Sequence, residues 1–382
     1  MNVVRIGVIG VGSMAGTHLK NLSTTKNAKL TAVCDIVKER ADQAAATHKC
    51  AAYYDHTQLL KDKVCDAVIV VTPHYGHTII GIDALNSGHH VLVEKPISVH
   101  KADCERLIAA HKKTKLVFSA MFNQRTDPQY RKIKQMIERG DLGQLDRITW
   151  IITNWFRSEA YYASGGWRAT WAGEGGGVLL NQCPHNLDLW QWMFGMPNRV
   201  RGFCQLGRKH MIEVEDEVTA YMEYKSGCKG VFITSTGEAP GTNRLEIAGE
   251  HGKLVHENGT LKFTRNEVSA NQFLKTSPDK FGRPPVWNVE IPTTGHGGQH
   301  AEILQNYVDA IVSGKPLIAP GSDGIHSVEL GNAMLFSSEL GKTLDLPLNS
   351  AAYEKMLKKK IKDSKFVKQT VKSAKGDMNA SF

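Results

Sequence analysis

The chain has 382 residues, of which 41% are hydrophobic and 22% are charged. This composition is typical of a globular protein, and a chain of this length is expected to form two domains. No apolar run reaches the roughly 20 residues of a membrane-spanning helix, and MNVVRIGVIG lacks the features of a secretion signal. Seven cysteines at irregular spacings form no CxxC pair, which favours reduced thiols and a cytoplasmic location.

The formal net charge of +9 is concentrated near the C-terminus. Nine lysines and a single acid lie between residues 355 and 375, and the remainder of the chain is nearly neutral. No groove of interleaved aromatic and basic residues accompanies them, so a solvated helix or tail is the stronger interpretation. We therefore expect no nucleic-acid partner and no membrane partner.

The first elements in chain order are a strand, a glycine turn and a helix. VVRIGVI, residues 3–9, has the continuous apolar character of a buried strand, and GVGSMA follows at once. In this G-x-G-x-x-A pattern Gly10 permits a tight turn and Gly12 lets a pyrophosphate approach the backbone. The N-terminus of the next helix offers free N–H groups to the phosphates, and Ser13 and Met14 lie in the same turn.

The second strand, KLTAVCD, ends at Asp35, twenty residues after the alanine of the glycine motif. A dinucleotide-binding fold places there the acid that binds the adenosine ribose, whereas the alternative is a surface acid that caps the next helix. Because this carboxylate would repel the 2′-phosphate of NADP, we predict NAD as the cofactor. NADP remains the alternative cofactor, because the cations Lys38 and Arg40 lie close to Asp35 in the sequence.

Strands and helices continue to alternate through CDAVIVVTP, HHVLVEKP and LVFSAMFN. This pattern predicts a parallel sheet with right-handed crossovers, whose ligands lie at the carboxyl ends of the strands. The further candidates for cofactor contacts at those ends are Thr72, Pro73, His74, His77, Glu94 and Lys95.

The second half of the chain has a different residue pattern from the first half. Its predicted strands alternate apolar and polar residues and are linked by short turns. We therefore predict an α/β fold: an N-terminal Rossmann doubly wound parallel sheet plus a C-terminal α+β domain with an open, mostly antiparallel sheet. The expected boundaries are 1–123 for dinucleotide binding, 124–350 for substrate binding and oligomerisation, and 351–382 for a basic tail. Two late helices, HAEILQNYVDAIVSG and SVELGNAMLFSSELGK, are expected to pack against the first domain.

GGGVLLNQCPHNLDLW, residues 175–190, places Asn181, His185 and Asp188 at the start of a helix that is otherwise apolar. Buried polar groups need partners or a chemical role, although a satisfied structural histidine is the alternative. A zinc site is disfavoured because Cys183 and His185 do not have a standard zinc spacing. We predict no metal.

The set GVIGVGSMA, VTPHYGH, HVLVEKPIS and GGGVLLNQCPHNLDLWQWMFG resembles the glucose–fructose oxidoreductase, inositol dehydrogenase and MocA family, from Val4 to about Leu348. The resemblance implies that Lys95 and His185 act on the hydroxyl being oxidised and that the protein is a homo-oligomer. Many members have Asp where this chain has Asn181, so any role of that acid as a base does not transfer.

We assign His185 as the base, Lys95 as the donor that stabilises the oxygen, and Asn181 as a positioning group. Asp188 either orients the His185 ring or bonds nearby backbone, and Glu94 is expected to structure its turn. Asn123, Arg125 and Asp188 are candidate substrate contacts, with a domain-linking ion pair as the alternative for Arg125.

An aromatic and basic segment, NWFRSEAYYASGGWRATWAGEGGG, precedes the catalytic motif. Its rings suit the apolar face of a pyranose and its arginines can bind hydroxyls, with Arg157, Tyr161 and Trp167 as predicted contacts. NQCPHNLDL also resembles the glycoside 3-dehydrogenase branch, which includes bacterial enzymes that open C-glycoside breakdown. We predict oxidation of a sugar or glycoside, preferably at C3. The alternatives are an inositol dehydrogenase and a non-catalytic dinucleotide-binding regulator.

Overall fold

A computed structural model of the chain describes residues 3–368 and contains two sheets. The first has six parallel strands in the order β3-β2-β1-β4-β5-β6. Its strands are β1 (Val4–Ile9), β2 (Ala28–Cys34), β3 (Ala51–Tyr53), β4 (Ala67–Val70), β5 (His90–Val93) and β6 (Phe118–Ala120). The central strands are apolar and buried because helices cover both faces of the sheet.

The helices between these strands are short and regular. They are α1 (Ala15–Leu22), α2 (Lys38–His48), α3 (His56–Lys61), α4 (His74–Asn86) and α5 (Lys101–His111). Helix α4 begins three residues before HTIIGIDALNSG, the stretch in which the sequence pattern indicated a helix. Pro73, with φ −56°, is its N-cap, so the chain enters the helix directly after the strand-end turn.

The second sheet has nine strands in the order β14-β13-β12-β11-β7-β10-β9-β8-β15. All neighbours are antiparallel except β7 and β10, which pair in parallel. The strands are β7 (Leu145–Ile152), β8 (Arg199–Leu206), β9 (Glu215–Glu223), β10 (Lys229–Ser235), β11 (Asn243–Gly249), β12 (Gly252–Glu257), β13 (Thr260–Asn266), β14 (Val286–Glu290) and β15 (Leu344–Asp345).

Helices cover one face of the second sheet. The helices of this half are α6 (Pro128–Glu138), α7 (Glu159–Ala163), α8 (Pro184–Phe194), α9 (Ala270–Thr276), α10 (Gln299–Ser313), α11 (Gly324–Leu340) and α12 (Ser350–Asp363), and a 3-10 turn at Asn123–Thr126 precedes them. Helix α11 crosses β8 so closely that a Cβ on Gly202 would lie 2.1 Å from the Met334 carbonyl oxygen. Glycine is therefore required at that crossing.

The predicted fold class is confirmed, because a parallel sheet is followed by a mixed, mostly antiparallel one. As expected, α10 returns to the first core, where its Ile303, Leu304 and Tyr307 are buried. The other late helix, α11, buries Val328 there but most of its apolar residues in the second core. The domain boundaries at 123 and 350 stay predictions. Among the described residues, no helix is long and apolar enough to cross a membrane.

The expected basic tail is partly an integral helix. Helix α12 buries Tyr353 and Leu357 in the second core while its lysines face outward. Of the two expectations, the helix is present over Ser350–Asp363, but it is solvated on one side only, because an amphipathic helix gains stability by burying its apolar stripe. The tail prediction for residues 369–382 lies outside the described residues.

Candidate active site

The turn between β1 and α1 has room for a ligand against its backbone. Gly10 has φ +92°, and a Cβ there would lie 2.7 Å from the Val71 carbonyl oxygen, so only glycine fits. A Cβ on Gly12 would meet nothing within 4 Å, which leaves open space beside that backbone. Helix α1 has no side-chain cap and no acid in its first turn, while Ser13 is exposed and Met14 half-buried. Uncapped N–H groups beside an open glycine turn fit a pyrophosphate.

Asp35 lies at the end of β2 with its carboxylate held by two backbone donors. Oδ2 accepts from Val11 N–H at 2.9 Å and Oδ1 accepts from Val37 N–H at 2.9 Å. The side chain is half-buried. Lys38, the nearest candidate cation in the sequence, has its Nζ 5.3 Å from the centre of the Tyr54 ring. The geometry suits an acid that binds ribose hydroxyls from a fixed position.

The end of β4 and the start of α4 form one side of the site. Both ring nitrogens of His77 are 2.7 Å from backbone carbonyl oxygens, those of Pro96 and Thr72, so the ring ties the two strand ends together. His74 has Nδ1 3.3 Å from the Glu174 carbonyl oxygen, and its ring meets Trp167 edge-on at 5.3 Å. The buried Thr72 Oγ1 has no hydrogen-bond partner among the described residues, as expected of a group that contacts a ligand.

Glu94 structures the turn that follows β5. One oxygen lies 2.7 Å from Nε2 of the buried His18, and the other accepts from the Lys95 backbone N–H at 3.0 Å. Burial raises the pKa of Glu94, but the hydrogen bond and charge of His18 outweigh burial and hold this pKa well below its ordinary value. Both oxygens are engaged, so Glu94 shapes the backbone from which Lys95 projects.

Lys95 reaches from the first sheet to the segment that precedes α8. Its Nζ donates to the Asn181 carbonyl oxygen at 2.9 Å, across 86 positions in the chain. Burial lowers the pKa of Lys95 below its ordinary value, although the charge of Glu94 opposes this shift. The amino group of Lys95 thus lies at the junction of the two sheets.

His185 is buried in the first turn of α8, which starts at Pro184. The pKa of His185 is lowered well below the usual histidine value by burial and then by the positive charge of Lys95. Its Nδ1 is buried and has no partner among the described residues, while its ring meets Phe122 edge-on at 6.2 Å. The imidazole is consequently neutral at neutral pH and able to accept a proton.

Glu174 is a site residue that the sequence reasoning missed. It is 1% exposed and accepts hydrogen bonds from the Ala169 N–H at 2.6 Å and from the side-chain amide of Asn181. The only signal in the sequence is an acid that stands directly before three glycines and an apolar run. Its neighbour Asn181 is bound twice, through its side chain to Glu174 and through its carbonyl to Lys95.

Arg125 and Asp188 form a buried ion pair with each other. Arg125 Nε and Nη2 donate to the two carboxylate oxygens at 2.8 and 2.6 Å, and Nη1 donates to Asp323 at 2.9 Å. Both partners are 1% exposed, so we withdraw Arg125 and Asp188 as predicted substrate contacts. Asp188 therefore links α8 to the 3-10 turn and does not orient His185. Asn123 donates to Gln299 at 2.6 Å and keeps a buried, unpartnered Oδ1 in the described structure.

The aromatic segment forms a stack of rings and guanidinium groups around Tyr161. Arg157 lies 5.2 Å and Arg168 4.7 Å from the centre of the Tyr161 ring. Arg168 also lies 4.8 Å from the Trp167 ring, and the Tyr161 hydroxyl accepts from Arg168 and Gln182. Gln182 follows Asn181 directly, so this stack adjoins Lys95 and His185.

Two family models match the chain and cover most of both sheets. The oxidoreductase family with an NAD-binding Rossmann fold matches residues 4–122, and the GFO/IDH/MocA C-terminal domain matches residues 130–255. The chain belongs to the GFO/IDH/MocA oxidoreductase family. Its first part is an NAD-binding domain, and the open glycine turn, the uncapped α1 and the fixed Asp35 fit that cofactor.

Curated relatives match across most of the chain. A myo-inositol 2-dehydrogenase of Thermotoga maritima is 26% identical over 90% of this chain and 98% of its own. A scyllo-inositol 2-dehydrogenase (NAD(+)) of Bacillus subtilis is 27% identical over 91% of this chain and 98% of its own. These relatives are named for the oxidation of ring polyols.

Solved structures share the fold. The WlbA dehydrogenase of Bordetella pertussis, in complex with NADH and UDP-GlcNAcA, has a TM-score of 0.76 at 22% identity and covers 91% of this chain and 100% of its own. A levoglucosan dehydrogenase in complex with NADH and levoglucosan has a TM-score of 0.75 at 20% identity, with 90% and 100% coverage. At these identities the likeness establishes the architecture alone.

Proposed function

We propose that the protein oxidises a ring secondary hydroxyl of a sugar or glycoside to a ketone, at C3 of a glucose-type ring, with NAD as the acceptor. The observation that carries the proposal is the 2.9 Å hydrogen bond from Lys95 to Asn181, which brings a cation from the first sheet to the segment leading to His185. A cation and a neutral imidazole at one junction suit the removal of a hydroxyl proton.

Each residue has a distinct part in this reaction. His185 accepts the hydroxyl proton, because burial and Lys95 lower its pKa and keep its imidazole neutral. Lys95 stabilises the negative charge that develops on the oxygen as the proton leaves. NAD supplies the acceptor for the hydride that leaves the same carbon, so the substrate loses a proton and a hydride and becomes a ketone.

A sugar or glycoside is favoured by the stack around Tyr161. Trp167 and Tyr161 supply aromatic surface, while Arg157 over Tyr161 and Arg168 over both rings supply donors for hydroxyl groups. Such a wall suits the apolar face of a pyranose and leaves aromatic surface for a substituent at the anomeric carbon. We propose Asn123, Arg157, Tyr161, Trp167 and Asn181 as substrate contacts.

An inositol is the second candidate, and the relatives favour it. Two inositol dehydrogenases match at 26–27% identity over 90–91% of the chain. An inositol presents a ring of secondary hydroxyls without an anomeric substituent, so it needs less of the aromatic wall.

The deciding experiment is to incubate the protein and NAD separately with an aryl glucoside, methyl glucoside, myo-inositol and scyllo-inositol. NADH absorbance reports turnover, and NMR of the product locates the ketone. We expect a 3-keto glycoside, with no reaction in a His185→Ala control. Fast oxidation of an inositol without any keto glycoside would make the protein an inositol dehydrogenase, and NAD binding without turnover would indicate a regulator.

We also propose that the protein is a homo-oligomer that pairs through the open face of the second sheet. The outer face is half-exposed and includes Ile151, Val231 and Ile233, and Phe203 is 54% exposed at one side. Burial of this face against a second subunit would explain why it carries β-branched apolar side chains. Light scattering after gel filtration should give a mass above 42.2 kDa.

A cytoplasmic location is favoured by seven free cysteines.

A further inference from the structure

A buried acid stands directly behind Asn181. Glu174 is 1% exposed, and the charges of Arg168 and Lys368 act on it through space. Burial raises the pKa of Glu174, while the Ala169 N–H and Arg168 oppose the rise. Burying a carboxylate is costly unless its oxygens have donors, and Ala169 and Asn181 supply them.

This carboxylate determines which end of the Asn181 amide enters the site. The side-chain NH₂ of Asn181 donates to Glu174, so the amide oxygen is directed away from it. The main chain of Asn181 is held on the other side, because its carbonyl accepts from Lys95. Asn181 therefore has its backbone carbonyl bound to Lys95 and its amide oxygen left unused by Glu174.

We propose that Glu174 is a positioning residue for the oxidation. It holds Asn181 so that the amide accepts a hydrogen bond from a sugar hydroxyl adjacent to the one oxidised. It also keeps a negative charge near Lys95, which the amide of Asn181 cannot provide. This inference rests on the proposed function, and it explains how a chain with asparagine at position 181 keeps an acid at this place.

Glu174→Gln tests the orientation. The new amide can still accept from the Ala169 N–H, but its NH₂ then faces the NH₂ of Asn181, which must turn over. A donor replaces the amide oxygen on the side away from position 174, and we expect kcat to fall by about 10- to 100-fold, the effect of a misplaced substrate. NAD affinity should be unchanged.

A double variant provides the rescue. In Glu174→Gln/Asn181→Asp the amide and the carboxylate exchange places, so the amide at position 174 donates to the carboxylate at position 181 and the acid remains. Most of the lost kcat should return. Asn181→Asp alone sets two carboxylates face to face, and the repulsion should make its activity fall as pH rises.

Glu213→Gln is the matched control. The Glu213 carboxylate accepts from the Trp171 N–H at 2.8 Å, so it supports the same loop without contacting Asn181. We expect its kcat to stay within about twofold of the unaltered protein, the range of an isolated loop contact. If kcat falls equally in Glu213→Gln and Glu174→Gln, and the double variant does not restore it, Glu174 only supports the loop and the proposed positioning role is wrong.

A second readout does not depend on the substrate. Acetic anhydride labels the neutral amine of Lys95, and mass spectrometry gives the labelled fraction against pH. Glu174 raises the pKa of Lys95, so Glu174→Gln should move labelling to lower pH, and Glu213→Gln should not. The other groups that act on Lys95 are Glu94, Arg168, Cys183, His74, His77, His185 and His300, and all remain in both variants.

The two readouts separate the two proposals. If no sugar or inositol is oxidised and the labelling still shifts, the proposed function fails while the coupling of Glu174 to Lys95 stands. Unchanged labelling together with unchanged kcat in Glu174→Gln overturns the inference whatever the substrate is.

Discussion

The two walls of the site differ in how their polar atoms are satisfied. On the wall built from the strand ends of the first sheet, Glu94 uses both oxygens and His77 both ring nitrogens in internal contacts. On the facing wall, from residue 155 to α8, His185 Nδ1 and Gln182 Oε1 are buried without partners in the described structure. Leaving a buried polar atom unpaired costs about 1–3 kcal/mol. Glu94 and His77 of the first wall are therefore bound internally although its Thr72 Oγ1 is unpaired among the described residues, whereas the buried histidine of the second wall is left for a ligand.

The difference indicates where specificity lies. A wall whose carboxylate and imidazole are bound internally, and which keeps Thr72 Oγ1 as a contact, can hold a constant cofactor. A wall with unpaired groups and a stack of rings and guanidinium groups discriminates among substrates, because a ligand that fails to pair those groups leaves them unsatisfied.

The largest effect is expected from removing the groups that act on the hydroxyl. Lys95→Met and His185→Ala should each lower kcat by at least roughly 10³-fold, because they remove transition-state stabilisation. NAD affinity, measured by fluorescence titration, should change less than about twofold. The control is His56→Ala, which removes a contact to Asp83 outside the site. A His185→Ala protein that keeps most of its activity would disprove the base assignment.

The buried ion pair between the walls should matter for stability. Arg125→Met leaves Asp188 buried and unpaired, and the free energy of unfolding should fall by about 3–5 kcal/mol in urea titrations. Arg139→Met removes an exposed pair with Asp141 and should cost less than about 1 kcal/mol. Similar losses in the two variants would show that Arg125 does not link the walls.

The pH dependence of kcat/KM should report the two groups that meet at the junction. His185 must be neutral, and its pKa is lowered by burial and by Lys95, so the rate should hold below pH 6.5 before it falls. Lys95 must be charged, and burial lowers its pKa, so the alkaline fall should begin below pH 10.5. Beyond each pKa the rate drops about tenfold per pH unit. An acid limb at or above pH 6.5 contradicts the assignment.

A smaller effect is expected on the cofactor wall. Asp35→Ala removes a charge-assisted contact to the ribose, so kcat/KM with NAD should fall roughly 10- to 100-fold. With NADP it should fall less or rise, because the repulsion of the 2′-phosphate disappears. Asp42→Ala, which frees the Tyr54 hydroxyl, is the control. A clear preference of the unaltered protein for NADP would overturn the NAD prediction.

Local patterns predicted the cofactor half well. The glycine turn, Asp35 and the strand ends follow each other at spacings that the strand–turn–helix unit dictates, so sequence order and spatial order coincide there. Helix starts were less exact, as the early start of α4 at His74 shows. The site assignments themselves stay predictions, which the variants above test.

The facing half was harder to predict because its contacts join distant parts of the chain. Arg125 and Asp188 are 63 residues apart, and each alone resembled a substrate contact. Glu174 carried only the weak signal of an acid before glycines, since nothing local shows that its carboxylate meets Asn181.

The sequence by itself determined the order of elements, the glycine turn and the chemistry available to the site, since periodicity and turn geometry act over a few residues. Only the tertiary structure decided which polar groups are paired with each other and which are left for a ligand. Hydrogen bonds and ion pairs depend on distances of about 3 Å between groups far apart in the chain. Those distances exist only once the two sheets have packed together.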